Sequence, residues 1–194
     1  MGSQFKTVTI AGGTGALGYA ISEAFLNDGS YNVKILRRKP ENENDCYGLL
    51  RYSISLLAAA KETSVKRFIS SEFGVGYKRG ILPVSDDKAK FREELEKSGL
   101  EYTCIYPGLF QEYLCWIGYD VENKKATFFG DSNTKLFTTS LPDIGKYTVE
   151  SLKISEARNA RINVAGATLS LNEYLEKFEE ITGSKWEVIE DRDV

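Results

Sequence analysis

The segment from Thr7 to Gly18 constrains this chain more than any other. Val8, Ile10 and Ala11 end a short apolar run of the kind that forms a buried strand. Gly12, Gly15 and Gly18 follow at once, in a GxxGxxG spacing. Leu17, Ile21, Ala24 and Phe25 then recur on one face of a helix. Strand, glycine turn and helix, in that order, make a phosphate site with a physical mechanism. One glycine reaches backbone angles that a Cβ forbids, a second lets the main chain approach a pyrophosphate, and a third lets helix and strand pack closely. The free N–H groups and positive end of the helix then face the anion.

A second strand is expected over Tyr31–Leu36, after turn residues at Asn27–Ser30, and it ends in Arg37. Gly18 and Arg37 are 19 positions apart, close to the ~20 at which such folds place the residue that reads the ribose. An acid there would accept the 2′-hydroxyl and favour NAD. An arginine pairs instead with a 2′-phosphate, so NADP(H) is the expected cofactor.

The absence of histidine narrows the chemistry. It excludes Ser-His-Asp and Cys-His nucleophile systems, imidazole metal ligands and histidine acid–base work. No metal site is expected. None of the eleven tyrosines has a lysine four residues on, so the Tyr-x-x-x-Lys pair of ordinary short-chain dehydrogenases is missing. Proton transfer must come from Lys, Tyr, Cys, Asp or Glu. With a net charge of −3 and no long basic stripe, nucleic acid is not an expected partner. No apolar run reaches the ~18 residues of a membrane span, and the first residues lack a secretory pattern. Three cysteines without ligand spacing fit a reducing compartment, so a cytoplasmic location is expected.

Beyond Arg37 the pattern fails over a polar loop near 39–48. A largely buried helix is expected from Leu49 to Lys61, with Leu50, Ile54, Leu57 and Lys61 on one face. Val65–Ile69 reads as a strand running into Ser70-Ser71-Glu72-Phe73-Gly74, a loop at a strand's carboxyl end, where open α/β sheets hold ligands. Ser85, Asp86 and Asp87 suit a helix N-cap, and Gly99 a helix end. Between them Lys88, Phe91 and Leu95 form one stripe, with Lys90 elsewhere. Lys88 therefore stands in the expected first turn, on the inward face and against the helix dipole. A local rule broken on an inward face points to function, and burial would lower its pKa as acid–base work requires. The other reading is a lysine that reaches along the surface to water.

Leu100–Tyr106 is a strand that leads into Pro107–Phe110. Tyr113, Trp116 and Tyr119 follow, either as a roof for a planar substrate or as core. Residues 126–129 and 135–139 flank turn residues and read as a hairpin. A helix over 141–154, a strand over 161–164, a capping box at Ser170 and Glu173 opening another helix, and a strand over 186–189 complete the chain.

These segments in this order resemble the NmrA-like, isoflavone reductase-like family of atypical short-chain dehydrogenases. The resemblance is carried by Gly12-Gly13-Thr14-Gly15-Ala16-Leu17-Gly18, Ile35-Leu36-Arg37, Val65 to Gly74, Gly99 to Thr103 and Asp143-Ile144-Gly145. It implies a Rossmann-like doubly wound parallel sheet with a small substrate-side annex, split as a cofactor-binding core over 1–110 and a partly interleaved part over 111–194. It implies that the seven residues from Gly12 to Gly18 hold the pyrophosphate and Arg37 the 2′-phosphate. Lys88 matches the family's lysine that orients the cofactor and assists proton transfer. Phe73, Gly74 and Phe110 fall on the substrate side.

The chain departs from the family in one respect. Between Arg37 and the Leu49 helix, members carry a further strand, helix and strand, a unit of at least ~30 residues. The family's terminal helical region also reads as cut short after Val194. The expectation is a sheet of reduced strand number in which Val65–Ile69 pairs directly with Val8–Ile10. The implied function is NADPH-dependent reduction of a small aromatic or phenolic molecule. The alternatives are an NADP(H)-binding redox sensor with a protein partner, or an inactive remnant.

Overall fold

The computed structural model describes residues 5–37, 49–70, 72–74, 80 and 83–191. The polar loop at 38–48, with the expected deletion point and Cys46, lies outside the described residues, as does Ser71.

Strand β1 (Thr7–Ala11) leads through the glycine turn into helix α1 (Ala16–Asp28), and β2 (Asn32–Leu36) pairs with β1 in parallel. Ala20, Ile21 and Phe25 of α1 are buried, the face that the apolar spacing predicts. Helix α2 (Leu49–Glu62) and helix α3 (Pro83–Lys97) flank β3 (Arg67–Ser70), and β4 (Glu101–Tyr106) is parallel to β3. Leu57 from α2, Phe91 and Leu95 from α3, and Cys104 and Tyr106 from β4 form one core cluster, with Leu50 packed against it. Ile54 is exposed, so the buried stripe of α2 runs through Leu57 and Ala60 and not through the expected Ile54.

After β4 come β5 (Leu109–Phe110), a 3-10 helix (Gln111–Ile117), β6 (Tyr119–Asp120), β7 (Lys125–Phe129) and β8 (Leu136–Thr139). Helix α4 (Leu141–Ser151), β9 (Ala160–Asn163), β10 (Ala167–Leu169), α5 (Leu171–Thr182) and β11 (Glu187–Asp191) complete the order. β9 joins β4 in parallel, so the later chain completes the earlier sheet. Helix α4 packs on α1 so closely that a Cβ at Gly145 would stand 2.6 Å from the Ala20 carbonyl oxygen. The Lys153–Asp28 ion pair, 2.7 Å, ties the two at their ends. Ser170 and Glu173 form the expected capping box at the start of α5.

Two topological expectations are corrected. Among the described residues, the doubly wound sheet is divided into a β1–β2 ladder and a β3–β4–β9 ladder, and β3 does not pair with β1. Side chains join the two. Ile69 and Phe73 pack against the cluster of Ile10, Ile21 and Phe25. Arg67 of β3 lies over the Phe5 ring, 5.1 Å away, and donates to the Ser151 carbonyl at the end of α4. These contacts take the place of a backbone ladder.

The expected hairpin does not form either. β7 pairs with β6 and, in parallel, with β11, while β8 pairs with β5 and β10. The residues between β7 and β8 bind outward: Asn172 of α5 donates to Ser132 Oγ and to Asn133 Oδ1, each at 3.0 Å. Tyr119, Phe128, Leu171, Tyr174 and Trp186 fill the core beneath these strands.

Candidate cofactor and catalytic site

The glycine turn is built by close backbone approach. The Gly12 N–H donates to the Leu36 carbonyl at 3.1 Å, and the Gly15 N–H donates to the Gly12 carbonyl at 3.0 Å. Gly12 has φ +76°, the left-handed region. A Cβ at Gly18 would lie 2.1 Å from the Gly12 oxygen, which no rearrangement of side chains can relieve. Gly13 is buried between Ser22 and Ile35, whereas Thr14, Gly15 and Ala16 are exposed and Leu17 is half-buried. Ser22 Oγ lies 2.7 Å from the Gly18 carbonyl, to which it donates, and 3.3 Å from that of Gly13. Sequence reasoning missed Ser22. Its signal was a polar residue amid the apolar face of α1.

This turn fits an anion. The first-turn N–H groups of a helix have no intrahelical acceptor. Here no side chain caps them and no acid stands in the first turn. Arg37 follows β2 directly, and the Ala11–Leu36 register places it beside the Gly12 turn. It is exposed and forms no ion pair among the described residues.

Lys88 stands at the carboxyl end of β3. Its Nζ donates to the Glu72 backbone carbonyl at 2.6 Å. Helix α3 begins at Pro83, earlier than expected, so Lys88 lies in the second turn and the dipole argument is corrected. Burial is the largest influence on its amine and lowers the pKa. The Glu72 carboxylate opposes that and the Arg92 guanidinium adds to it. Lys90 is exposed and pairs with Asp87 at 3.8 Å, as the stripe implies.

Glu72 and Arg92 form a buried ion pair at 2.7 Å that sequence reasoning did not find. Ser70 Oγ donates to the other carboxylate oxygen at 3.1 Å. Removing one partner of such a pair costs about 3–5 kcal/mol, because the other charge is left buried. The available signal was helical: Arg92 lies one turn after Lys88 on the same face. Leu50, Ser53, Ser70, Glu72, Asp87, Lys88 and Phe91 enclose a recess of about 10 Å³, room for about one water.

Of the expected substrate-side residues, Phe73 packs into the cluster around Ile10 and Gly74 is half-buried on the same loop. Phe110 lies in β5 against Tyr113, ring centres 6.0 Å apart, and Tyr113 stacks on Trp116 at 4.5 Å. Trp116 is 78% exposed. Tyr119, grouped with them by sequence, is buried elsewhere, and its hydroxyl donates to the Leu171 carbonyl. The structure thus brings Phe110, Tyr113 and Trp116 together and leaves Phe73 in a separate cluster.

Residues 45–190 match the model of the NmrA-like family, and the glycine turn and Arg37 precede the matched span. The chain is similar to Oxidoreductase BOA1 of Botryotinia fuckeliana, 28% identical over 92% of this chain and 77% of that protein. It is also similar to Pinoresinol reductase 1 of Arabidopsis thaliana, 29% identical over 69% of this chain. It spans 47% of that protein and about half of the other plant reductases it matches. The alignment with the Botryotinia protein runs over 231 residues, more than the 194 of this chain, so that relative carries residues inside the matched span with no counterpart here. Among solved structures, the fold matches the pinoresinol-lariciresinol and phenylcoumaran benzylic ether reductases, with a TM-score of 0.78 and 23% identity over 95% of this chain and 79% of that one. It matches the leucoanthocyanidin reductase–NADPH complex of Vitis vinifera with a TM-score of 0.77 and 21% identity, over 95% of this chain and 76% of that one. The fold is therefore the Rossmann-like one of these reductases, and the chain belongs to the NmrA-like family.

Proposed function

We propose that this chain is an NADP(H)-dependent oxidoreductase that reduces a small aromatic or phenolic molecule. The observation that carries the reading is the uncapped, acid-free start of α1, with Arg37 beside it and without an ion pair among the described residues. Relatives named as pinoresinol and isoflavone reductases, and a fold shared with an NADPH complex, support it.

In this reading the free first-turn N–H groups of α1, on the backbone that Gly12–Gly18 shape, face the pyrophosphate, and Arg37 pairs with the 2′-phosphate. Bound NADPH would supply a hydride. Lys88 orients the ribose or nicotinamide, and its amine hands a proton to the oxygen or carbon that gains charge. Burial lowers its pKa and so makes the ammonium a readier proton donor. Phe110, with Tyr113 and Trp116, offers a flat apolar surface to an aromatic ring, and Phe73 and Gly74 shape the loop beside Lys88. Residues 1–110 would then carry the cofactor and 111–194 the substrate side.

Calorimetry with NADPH and NADH on the parent chain and on Arg37→Ala tests the cofactor half. NADPH binding that the substitution weakens by at least about tenfold is expected. Equal affinity for NADH in the parent would overturn it. Consumption of NADPH with a panel of phenolic carbonyl and alkene substrates tests the other half.

A second reading is favoured by the narrow recess beside Lys88 and by the division of the sheet. It is an NADP(H)-binding regulator that senses redox state and docks on a protein partner, or a shortened remnant without turnover. Binding of NADP⁺ and NADPH with no consumption of NADPH by any substrate would favour it, and unequal affinity for the two would single out the sensor.

A further inference from the structure

We propose that the Glu72–Arg92 pair is a positioning device that fixes the Lys88 amine and balances the charge around it. This rests on the reading of Lys88 as the proton-handling group.

The argument begins with the acceptor. Lys88 Nζ donates to the backbone carbonyl of Glu72, not to a carboxylate. Where that carbonyl points depends on how residue 72 is held, and it is held on every polar atom. Its N–H donates to the Ser70 carbonyl at 2.8 Å. Its two carboxylate oxygens accept from Ser70 Oγ at 3.1 Å and from Arg92 Nη1 at 2.7 Å. The side chain is 2% exposed. Arg92 stands four residues after Lys88 on α3, so one helix carries both the amine and the clamp on its acceptor. The Arg92 guanidinium in turn lies over the Tyr106 ring of β4, 6.0 Å from its centre.

Charge gives the second line of argument. The Glu72 carboxylate favours the protonated amine and Arg92 disfavours it, so the two work against each other at Lys88. Paired, they leave burial as the largest influence. Beside burial, Glu72 and Arg92 are the charged groups that act on the amine among the described residues. Among the described residues, Asp87 on α3 has Lys90 as its partner, and α2 lines the recess with Leu50 and Ser53. From β4, burial pushes the Cys104 thiol and the Tyr106 phenol up to about 12, so both are neutral at pH 7. A well-packed apolar pair can serve stability as well as a buried ion pair does. What an apolar pair cannot do is offset one charge with another beside an amine.

The test reads the protonation of Lys88 directly, without turnover. Acetic anhydride labels the free amine, and mass spectrometry of the Lys88 peptide follows its labelling rate across neutral and alkaline pH. Glu72→Gln is expected to move the labelling midpoint down, and Arg92→Gln to move it up. Glu72→Gln with Arg92→Gln should return it toward the parent. A pair that only holds the fold would loosen the site in all three variants and move every midpoint toward that of an ordinary lysine. Three shifts in one direction, or none, overturn the proposal. Circular dichroism checks each fold. If Arg92→Gln alone does not fold, the single Glu72 variant and the double variant decide. The reading of Lys88 fails separately: Lys88→Ala that keeps full NADPH consumption would remove the proton role, whatever the midpoints do.

Discussion

Lys88 Nζ and the Glu72 carbonyl oxygen lie 2.6 Å apart, across a gap of sixteen residues in sequence, and this contact joins α3 to the carboxyl end of β3. It places the amine at the strand edge where open α/β folds hold their ligands. Lys88→Ala should leave NADPH affinity within a few-fold of the parent and lower turnover by about 10²–10⁴-fold, the usual worth of a positioned acid or base. Calorimetry and NADPH consumption measure the two separately. A loss of both together would assign Lys88 to binding alone.

The lowered pKa of Lys88 has a definite sign in stability. The folded chain gives up the proton below the ordinary lysine value of 10.5, while the unfolded chain keeps it up to that value. Between the two, the unfolded state binds more protons, so stability rises with pH. Below the folded value the burial penalty is present in full, and above 10.5 it is gone. Lys88→Met removes the titration. Urea melts at rising alkaline pH should show the parent gaining stability relative to Lys88→Met across that window. Parallel curves would mean that the amine keeps its ordinary proton affinity.

Arg37 is exposed beside the glycine turn and has no ion pair among the described residues, so its loss should cost binding and not folding. A hydrogen bond between charged groups contributes about 1.5–3 kcal/mol. Arg37→Ala should therefore weaken NADPH binding by about 10–150-fold, with NADH binding and Tm nearly unchanged. A fall in Tm would instead reveal a structural role.

Gly18 tests the turn itself. A Cβ there would meet the Gly12 oxygen at 2.1 Å, and the obstacle is backbone. Gly18→Ala must push α1 away from the turn, at a cost of about 1–3 kcal/mol typical of overpacking. Both the midpoint of urea unfolding and NADPH affinity should fall. Full retention of NADPH affinity would show that the pyrophosphate does not sit on this turn.

What the sequence made legible followed from local periodicity. The buried faces of α1 and α3 could be read because Ile21 and Phe25, or Phe91 and Leu95, recur at helical spacing. Lys88 stood out because it broke such a stripe. Arg37 could be placed because a parallel strand pair carries the chain back to the turn it left. Of the Glu72–Arg92 pair only the helical half was legible, with Arg92 on the face of Lys88, since the partners meet only once α3 folds over β3. The hairpin failed for a related reason. Residues 126–139 satisfy every local turn rule, yet β7 takes the distant β11 as its ladder partner, and no local rule carries that information.

The division of the sheet makes the last prediction. Within a strand, N–H groups point alternately to the two edges. The Gly12 N–H donates to Leu36 of β2, so by alternation Ile10 and Val8 also face β2, while Thr9 and Ala11 face away. Among the described residues β1 pairs with β2 alone. Amide exchange of Thr9 and Ala11 should then be faster than that of Val8 and Ile10, a two-residue rhythm visible by NMR. Helix α1 lies at the end of β1 and packs on α4, so global opening alone would give all four amides the same rate. Uniform strong protection would mean that a further strand lies against this edge in solution. The expected direct pairing of Val65–Ile69 with β1 would then be restored as a candidate, and substitution of Ile69 by proline, which removes a ladder donor, would expose Thr9 and Ala11 only if β3 supplies that strand.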